Sequence, residues 1–387
     1  MDAKTFFTNK SFCVLPWTGF ELEPNGDVKN CIISKEVLGN INDTDIKDIM
    51  SNAKNRKLKE DMGYDNSPHN CSGCYLQEAN RKDPNSISSR RYYNREIGRE
   101  FLNIDKEFSL HHVDLRWTNQ CNQACVYCSP LYSSKWATEL GETIKSKKEA
   151  RYKVKEYVFD NVKQLRNVYL AGGEPMLMNE NKEFLKLLLK ENPDVTIRVN
   201  TNLSSTGTGV FQLLCEFKNV HWTISVESIE EEYEYIRYHG SWNDFLRNLK
   251  YIQTLNHKIS FNMLYFILNY KSIFNCVDLL RKAGFHENSF IIGPITKPNY
   301  LNILNLPKPM LDEIKQRLEI EIQKSTGYLK NSYENILNYI NNTKFKNNIT
   351  GFYKQTHERD IRRGVDATKV FPKLFKELDA YPLDKSI

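Results

Sequence analysis

Cys121-Asn-Gln-Ala-Cys125-Val-Tyr-Cys128 is the stretch around which this 387-residue chain can be interpreted. It directly follows residues 112–117, a short run whose composition predicts a β-strand. In α/β folds, the loops at the carboxyl ends of the strands carry the chemistry. Three cysteine thiolates within eight residues can hold one face of a cubane iron-sulfur cluster and leave one iron without a protein ligand. The spacing therefore predicts a cluster whose open iron can bind a further molecule.

Downstream of this motif, short β-rich runs alternate with longer helical patterns, which is typical of βαβ units and a parallel sheet. Amphipathic helices are predicted between the strands, for example at residues 181–191 and 272–283. The chain after residue 307 is predicted to be helical, most clearly at 310–322 and 333–340. Six βα units fit between residues 111 and 300, with strands near residues 112–117, 167–171, 195–200, 220–225, 259–266 and 289–293.

The amino-terminal region has a different pattern. Residues 11–40 predict a β-hairpin, in which an apolar and aromatic run at 14–22 meets the turn Pro24-Asn25-Gly26-Asp27 and a second strand follows at 28–33. A helix is predicted over 44–62, and the polar stretch 65–89 predicts a loop. With a domain boundary near residue 105, the chain divides into an amino-terminal module (1–105), an α/β domain (106–300) and a helical carboxyl-terminal region (301–387).

Composition limits the classes of protein that are possible. Apolar residues at 40% and charged residues at 26% are typical of a globular protein. The net charge of +6 is scattered along the chain, so nucleic-acid binding is permitted but not indicated. No stretch approaches the roughly 18 apolar residues of a membrane span or resembles a signal peptide, so we expect a cytoplasmic protein. Nine cysteines in that compartment indicate metal or cluster ligation rather than disulfides.

The three-cysteine motif resembles that of the radical S-adenosylmethionine (SAM) superfamily, which has the spacing CxxxCxxC and an aromatic residue, here Tyr127, before the third cysteine. The resemblance implies a partial (β/α)6 TIM-like barrel, with a 4Fe-4S cluster held by Cys121, Cys125 and Cys128 and SAM bound at that cluster. A zinc site or three unrelated buried thiols is the alternative. Zinc normally takes four ligands, and the sequence near this motif offers no fourth.

The stretch Gly172-Gly173-Glu174-Pro175 follows the second predicted strand and matches the family's GGEP element. In the family its backbone and glutamate hold the amino group of SAM, and glycine lets the backbone approach a ligand closely. A simple turn between strand and helix is the alternative for such a segment.

Later strand ends resemble further SAM contacts of the family. Asn200 and Asn202 match a polar stretch that faces the ribose and the methionyl part of SAM, and Ser225 matches the serine of a Ser-x-Asp turn in which Glu227 replaces the aspartate. Arg237 resembles an arginine that can pair with the carboxylate of SAM. An exposed arginine without a role is the alternative for Arg237.

The arrangement of four further cysteines resembles that in SPASM and twitch modules, which bind an auxiliary iron-sulfur cluster of the 4Fe-4S or 2Fe-2S type. The four cysteines are Cys13, Cys31, Cys71 and Cys74. Such modules usually follow the barrel, whereas this one precedes it. A tetrathiolate zinc ribbon is the alternative. Cys215 and Cys276 stand alone in helical patterns, where we expect small buried core residues, although either could serve as a hydrogen donor.

The resemblance implies a radical enzyme that reductively cleaves SAM to a 5'-deoxyadenosyl radical, which abstracts hydrogen from a substrate. A peptide or protein ranks first as substrate, and an external reductant such as flavodoxin or ferredoxin is implied. One alternative is a radical SAM enzyme acting on a nucleoside, a nucleic acid or a small metabolite. Another is a noncatalytic iron-sulfur or zinc protein serving as a scaffold or electron carrier. No general base can be named from the sequence.

Overall fold

Nine strands form one sheet in the part of the chain that the computed structural model describes, which comprises residues 10–79, 88–98, 107–344 and 347–381. They are β1 (Gly19–Leu22), β2 (Asp27–Lys29), β3 (Gly39–Asn40), β4 (His112–Leu115), β5 (Asn167–Leu170), β6 (Thr196–Thr201), β7 (Val220–Ser225), β8 (Lys258–Tyr265) and β9 (Phe290–Pro294). Their order is β3-β2-β1-β4-β5-β6-β7-β8-β9, and neighbours from β4 to β9 are parallel. Both ends of this order are edges, so the parallel strands form an open sheet, as a partial barrel requires.

Helices connect the parallel strands and make up the carboxyl-terminal region. They are α1 (Leu15–Thr18), α2 (Ile46–Met50), α3 (Ala53–Gly63), α4 (Ser72–Ala79), α5 (Ser89–Glu96), α6 (Ser134–Leu140), α7 (Lys148–Asp160), α8 (Asn179–Glu191), α9 (Gly209–Glu216), α10 (Glu230–Ile236), α11 (Trp242–Gln253), α12 (Ser272–Lys282), α13 (Lys308–Lys324), α14 (Gly327–Asn342), α15 (Ile349–Arg363), α16 (Ala367–Val370) and α17 (Pro372–Asp379). The six predicted βα strands are confirmed as β4 to β9. The four helices predicted above correspond to α8, α12, α13 and α14, and only the helix predicted over 272–283 extends further than the observed one, by a single residue.

The parallel strands present an apolar face to the helices and a polar face on the other side. In β6, Ile197 and Val199 are buried, whereas Arg198 and Asn200 are only partly buried. Buried side chains of the strands and of the helices α8, α11 and α12 belong to one large core. On the opposite face, a polar row crosses the sheet in register through Asp114, Tyr169, Arg198 and His221. The alternation has the period of two that β-structure imposes.

The amino-terminal hairpin continues the sheet of the barrel. Strand β1 pairs in parallel with β4, with Phe20 opposite Val113 and Leu22 opposite Leu115. Phe20 and Leu22 therefore belong to the large core, while a second, smaller core lies beside the amino-terminal cysteines. The boundary predicted near residue 105 falls outside the described residues. The hairpin and the βα units share one sheet on either side of it.

Three local predictions need correction. Residues 15–18 form α1 instead of extending the first strand, with Pro16 in the first turn, where proline suits a helix. The helix predicted over 44–62 is divided into α2 and α3, because the side chain of Asn52 accepts a hydrogen bond from the N–H of Asn55 and caps α3. The predicted loop 65–89 contains the single turn His69–Cys71 and the helix α4. Residues 80–87 of that loop lie outside the described residues.

The carboxyl-terminal helices pack on the last strand. The N–H of Ile292 in β9 donates to the hydroxyl of Ser332 in α14 over 3.0 Å. Tyr333 and Ile336 of α14 are buried in the large core. In the described part of the chain, no helix is both long enough and apolar enough to span a membrane.

Candidate active site

The three-cysteine loop lies between β4 and α6 and is fixed by backbone hydrogen bonds. The N–H of Ala124 donates to the carbonyl of Tyr238 over 2.9 Å, and the N–H of Val126 donates to the carbonyl of Ile236 over 2.8 Å. The indole N–H of Trp136 donates to the carbonyl of Cys125 over 2.6 Å. The loop is thus held between α6 and the end of α10, at the carboxyl ends of the parallel strands.

The three thiols of this loop share one buried environment. Cys125 is buried, and Cys121 and Cys128 are partly buried. Burial, followed by the neighbouring Cys125, raises the pKa of Cys128 to about 12, and the same two causes raise the pKa of Cys121. Backbone hydrogen bonding at Gln123 and at Ser129 lowers the pKa values of Cys121 and Cys128, respectively, which favours their thiolate forms. The donor set therefore suits a metal cluster, which binds thiolates and displaces their protons.

The Gly-Gly-Glu-Pro loop packs directly on the beginning of the cysteine loop. A Cβ atom on Gly173 would lie 2.1 Å from the carbonyl oxygen of Gln120, and Gly172 has a φ of +109°. The N–H of Glu174 donates to the same carbonyl over 2.7 Å. Only glycine permits this approach and this backbone conformation. The loops after β4 and β5 are therefore joined beside the three thiols.

Glu174 connects the ends of two strands. Its carboxylate accepts from the hydroxyl of Thr201 and from the N–H of Asn202, both over 2.7 Å, and is only 1% exposed. Burial raises the pKa of Glu174, and these hydrogen bonds oppose the rise. The amide of Asn202 donates to the side chain of Asn122 in the cysteine loop over 3.0 Å. Glu174 and Asn202, both predicted to bind SAM, thus also join the carboxyl ends of β4, β5 and β6 to one another.

Two other predicted residues leave polar groups at the strand ends. The side-chain oxygen of Asn200 is buried, and no hydrogen-bond partner for it exists within the described residues. Asn200 lies opposite Thr223 in the neighbouring strand, and Ser225 is the last residue of that strand. A buried oxygen without a partner is costly, so it fits a site that a polar ligand such as SAM completes.

Arg237 lies behind the cysteine loop. It is 2% exposed, so the exposed-arginine alternative is wrong. Its guanidinium donates to Glu227 over 2.8 and 3.0 Å, to the hydroxyl of Tyr127 over 2.8 Å and to Gln123 over 3.3 Å, and it contacts the sulfur of Cys125 at 3.8 Å. These contacts engage all five N–H groups of Arg237. They leave no donor for the carboxylate of SAM, which is the partner that the sequence predicts for this arginine. Arg237 instead holds Tyr127 and Glu227 beside Cys125.

The amino-terminal cysteines lie near one another. Burial, followed by Cys31, Cys71 and Cys74, raises the pKa of Cys13, and burial raises the pKa of Cys31 to about 12 and that of Cys71 to about 11. Backbone N–H groups donate to three of the sulfurs, including those of residues 89 and 90 at the start of α5 to Cys74. No group of three His, Cys, Asp or Glu side chains arranged for a single metal ion occurs in the described ranges. The case for one four-thiol site rests on this shared environment.

The two remaining cysteines differ from each other. Cys276 is fully buried in the large core, as predicted. Cys215 is only partly buried and packs against that core. The charges of Glu227 and Arg237 act on the thiol of Cys276, so it lies near the network behind the cysteine loop.

A charged cluster at the junction of hairpin and barrel was missed by sequence reasoning. Arg116 lies 3.0 Å from Asp114, 3.1 Å from Glu21 and 3.6 Å from Glu23, and all four are buried. Burial and the charge of Asp114 raise the pKa of Glu21 to about 9. The hydroxyl of Tyr132 in the cysteine loop donates to Glu23 over 2.9 Å. The sequence signal for this cluster is the placement of charged residues at alternate positions of two apolar runs, Glu21 and Glu23 in the first and Asp114 and Arg116 in the second.

The parallel strands form an open sheet, and the loop after β4 carries three thiols beside the Gly-Gly-Glu-Pro loop. These features define an α/β protein built around a cluster-binding loop. Two family models match the chain, namely the radical SAM superfamily over residues 115–280 and SPASM, an iron-sulfur cluster-binding domain, over residues 13–75. The chain therefore contains a radical SAM domain, preceded on the amino-terminal side by a SPASM domain. These domains imply three cofactors, which are a SAM-binding 4Fe-4S cluster, SAM and an auxiliary iron-sulfur cluster.

Curated relatives match a limited part of the chain. It is 26% identical over 95 residues to the GTP 3',8-cyclase of Campylobacter lari, a match that covers 24% of this chain and 28% of that protein. It is 30% identical over 100 residues to the GTP 3',8-cyclase of Nautilia profundicola, with coverages of 26% and 30%. The chain therefore spans less than a third of the length of either relative.

Solved structures match a larger share of the chain. Streptococcus suis SuiB bound to S-adenosylmethionine is 14% identical with a TM-score of 0.41, and the match covers 68% of this chain and 62% of that one. The enzyme anSMEcpe with bound AdoMet and the Cp18Cys peptide is 12% identical with a TM-score of 0.39, with coverages of 55% and 59%.

Proposed function

We propose that this radical SAM enzyme reductively cleaves SAM and abstracts hydrogen from a peptide or protein. The observation that carries the proposal is the close packing of the Gly172–Gly173 backbone on the loop that bears Cys121, Cys125 and Cys128. When bound, the cluster supplies the electron that cleaves SAM, and the resulting 5'-deoxyadenosyl radical abstracts the hydrogen. The protein's own part is to hold, orient and shield these groups.

The described side chains divide this work. Cys121, Cys125 and Cys128 would hold three irons and leave the fourth open. The backbone at residues 172–175, with Asn200, Asn202 and Ser225 at the neighbouring strand ends, would bind the polar parts of SAM. Glu174 would add a carboxylate to this site while it joins β5 to β6. Tyr127 and Arg237 would orient the cluster loop from behind.

The SPASM domain would hold an auxiliary cluster through Cys13, Cys31, Cys71 and Cys74. Four thiols can fill every protein-ligand position of one cluster, which suits electron transfer or structural support better than substrate binding. Because β1 of this domain pairs with β4, the second site is rigidly connected to the strand that precedes the three-cysteine loop.

The substrate class is inferred from this domain. The SPASM-type resemblance implies a peptide or protein, because relatives with auxiliary clusters modify ribosomal peptides. A nucleotide is the second candidate, favoured by the curated relatives that match part of this chain and are named GTP 3',8-cyclases.

The test compares substrates through the rate of SAM cleavage. Reconstituted, dithionite-reduced protein would be incubated with SAM and either short peptides encoded beside its gene or GTP, and 5'-deoxyadenosine would be quantified. We expect a peptide to accelerate its formation and to lose or transfer hydrogen, as mass spectrometry would detect. If GTP accelerates the formation of 5'-deoxyadenosine and no peptide does, the substrate is a nucleotide and not a peptide. The Cys215→Ala variant is the control for cysteine replacement away from the clusters.

A further inference from the structure

Arg359 in α15 is a buried cation without a counter-ion in the described residues. Its side chain is 1% exposed. One terminal nitrogen donates to the hydroxyl of Tyr235 over 3.0 Å and lies 3.4 Å from the hydroxyl of Thr356. Its other two nitrogens have no hydrogen-bond partner of standard geometry there, although burial raises the pKa of Tyr300 and a contact of its hydroxyl with the guanidinium opposes that rise. None of the ion pairs in the described ranges includes Arg359. Burying an unpaired guanidinium is costly, so a missing anion is the simplest physical explanation.

The neighbouring charges do not compensate it. Arg362 and Arg363 both donate to Glu139, over 3.1 and 3.0 Å. The carboxylate of Asp360 is taken by the hydroxyl of Tyr235 over 2.6 Å and by the N–H of Ala367 over 2.7 Å. Glu139 thus pairs with two of the three arginines, Asp360 pairs with none of them, and neither carboxylate is bonded to Arg359. Burial lowers the pKa of Arg363, and the charge of Arg359 lowers it further, as expected where cations crowd together.

This cluster adjoins the three-cysteine loop. The guanidinium of Arg363 lies between two aromatic rings, 4.6 Å from the centre of Trp136 and 4.5 Å from that of Tyr238. Trp136 donates to the carbonyl of Cys125, and the carbonyl of Tyr238 accepts from Ala124. The charge of Arg363 also acts on the thiol of Cys125. An anion beside Arg359 would thus lie behind the loop that bears the cluster ligands.

A partly buried tyrosine, Tyr300, lies close to Arg359. The charges of Arg359 and Arg363 act on the hydroxyl of Tyr300, which is only partly buried. Tyr300 follows β9, and residues 296, 297 and 299 of this connection are exposed. Exposed residues therefore lie within a few positions of Tyr300, which is itself close to Arg359.

We propose that Arg359, with Arg363 and Tyr300, binds one oxyanion, a carboxylate or a phosphate, of the molecule on which the enzyme acts. The planar guanidinium matches both anions because it offers two parallel N–H donors. That the anion belongs to the substrate rests on the proposed function, whereas the anion site itself does not.

The experiment measures thermal unfolding of the full chain at constant ionic strength while chloride is replaced by phosphate or by succinate. A bound anion stabilises the folded state with a saturable concentration dependence, whereas general salt exclusion does not saturate. We expect a saturable rise in Tm for the wild type and for Arg247→Met, which removes an exposed arginine of α11 that pairs with Asp244. We expect Arg359→Met to lose the saturable rise and, in chloride, to have a Tm no lower than that of the wild type.

The comparison of phosphate with succinate identifies which kind of oxyanion the site binds. Saturation with phosphate alone would assign the site to a phosphorylated ligand, and saturation with succinate alone to a peptide carboxylate. Absence of saturation with both anions, or an unchanged response in Arg359→Met, would overturn the proposal. If that variant does not fold, Arg359→Lys keeps the charge but loses the planar fork, and at least a threefold weaker midpoint is expected. Cys125→Ala should retain the response, so failure of SAM cleavage and failure of anion binding are separable.

Discussion

Replacing Glu227 with Gln would test the network behind the cysteine loop. Glu227 accepts from Arg237 over 2.8 and 3.0 Å, and the two side chains are 1% and 3% exposed. The substitution keeps the size of the side chain but leaves the guanidinium without its counter-charge. Breaking a buried ion pair from one side costs about 3–5 kcal/mol because the remaining charge is uncompensated. We therefore expect the free energy of unfolding to fall by about that amount.

Urea titration of Glu227→Gln, Arg237→Met and the double variant would measure the coupling between the two residues. Because the double variant contains no unpaired charge, its loss should be smaller than the sum of the single losses by at least about 1 kcal/mol. The control is Arg247→Met, whose ion pair with Asp244 is 71% and 44% exposed and should contribute no more than about 1 kcal/mol. A loss for Glu227→Gln as small as that of the control would refute the buried network.

Three further predictions concern stability and cluster content. The pKa of Glu21 in the fold is about 9, above its ordinary value of 4.5, so the fold retains a proton that the unfolded chain has lost. The free energy of unfolding should therefore decrease as pH rises from about 4.5 to about 9, by at most about 1.4 kcal/mol per pH unit, and urea titrations should show Glu21→Gln gaining stability relative to the wild type over that range. Cys276→Ala should keep full iron content and lose on the order of 1 kcal/mol of stability, as iron assay and urea titration would show. Replacing Cys121, Cys125 and Cys128 together with Ala should leave the iron and sulfide of one cluster, and complete loss of iron would contradict two separable sites.

The sequence predicts the barrel strands well because each is a short β-rich run between clear helical patterns. The division between α2 and α3 depends on one side chain, Asn52, whose capping hydrogen bond outweighs a continuous helical pattern. The helix α4 was missed because tertiary packing favours it. A Cβ atom on its Gly73 would lie 2.7 Å from the side chain of Ile33, which shows how closely these segments approach. No local pattern contains that contact.

Pairing between distant strands is the information that the sequence lacks most. Nothing in residues 19–22 indicates that β1 pairs with β4, more than ninety residues further along the chain, and this pairing brings Glu21 to Arg116. The position of Arg237 depends on the end of α10 approaching the cysteine loop. The cysteine spacing and the Gly-Gly-Glu-Pro segment were recognisable because their chemistry lies within a few consecutive residues.

The most direct test of the central claim is the formation of 5'-deoxyadenosine from SAM by anaerobically reconstituted protein reduced with dithionite. We expect the wild type to form 5'-deoxyadenosine and methionine even without its substrate. Cys125→Ala, which removes one of the three thiols, should form none. Glu174→Ala should weaken SAM binding while the absorbance of the cluster persists. If the loaded wild type binds SAM no better than Cys125→Ala and forms no 5'-deoxyadenosine with or without candidate substrates, the chain is a noncatalytic iron-sulfur protein and the account is contradicted.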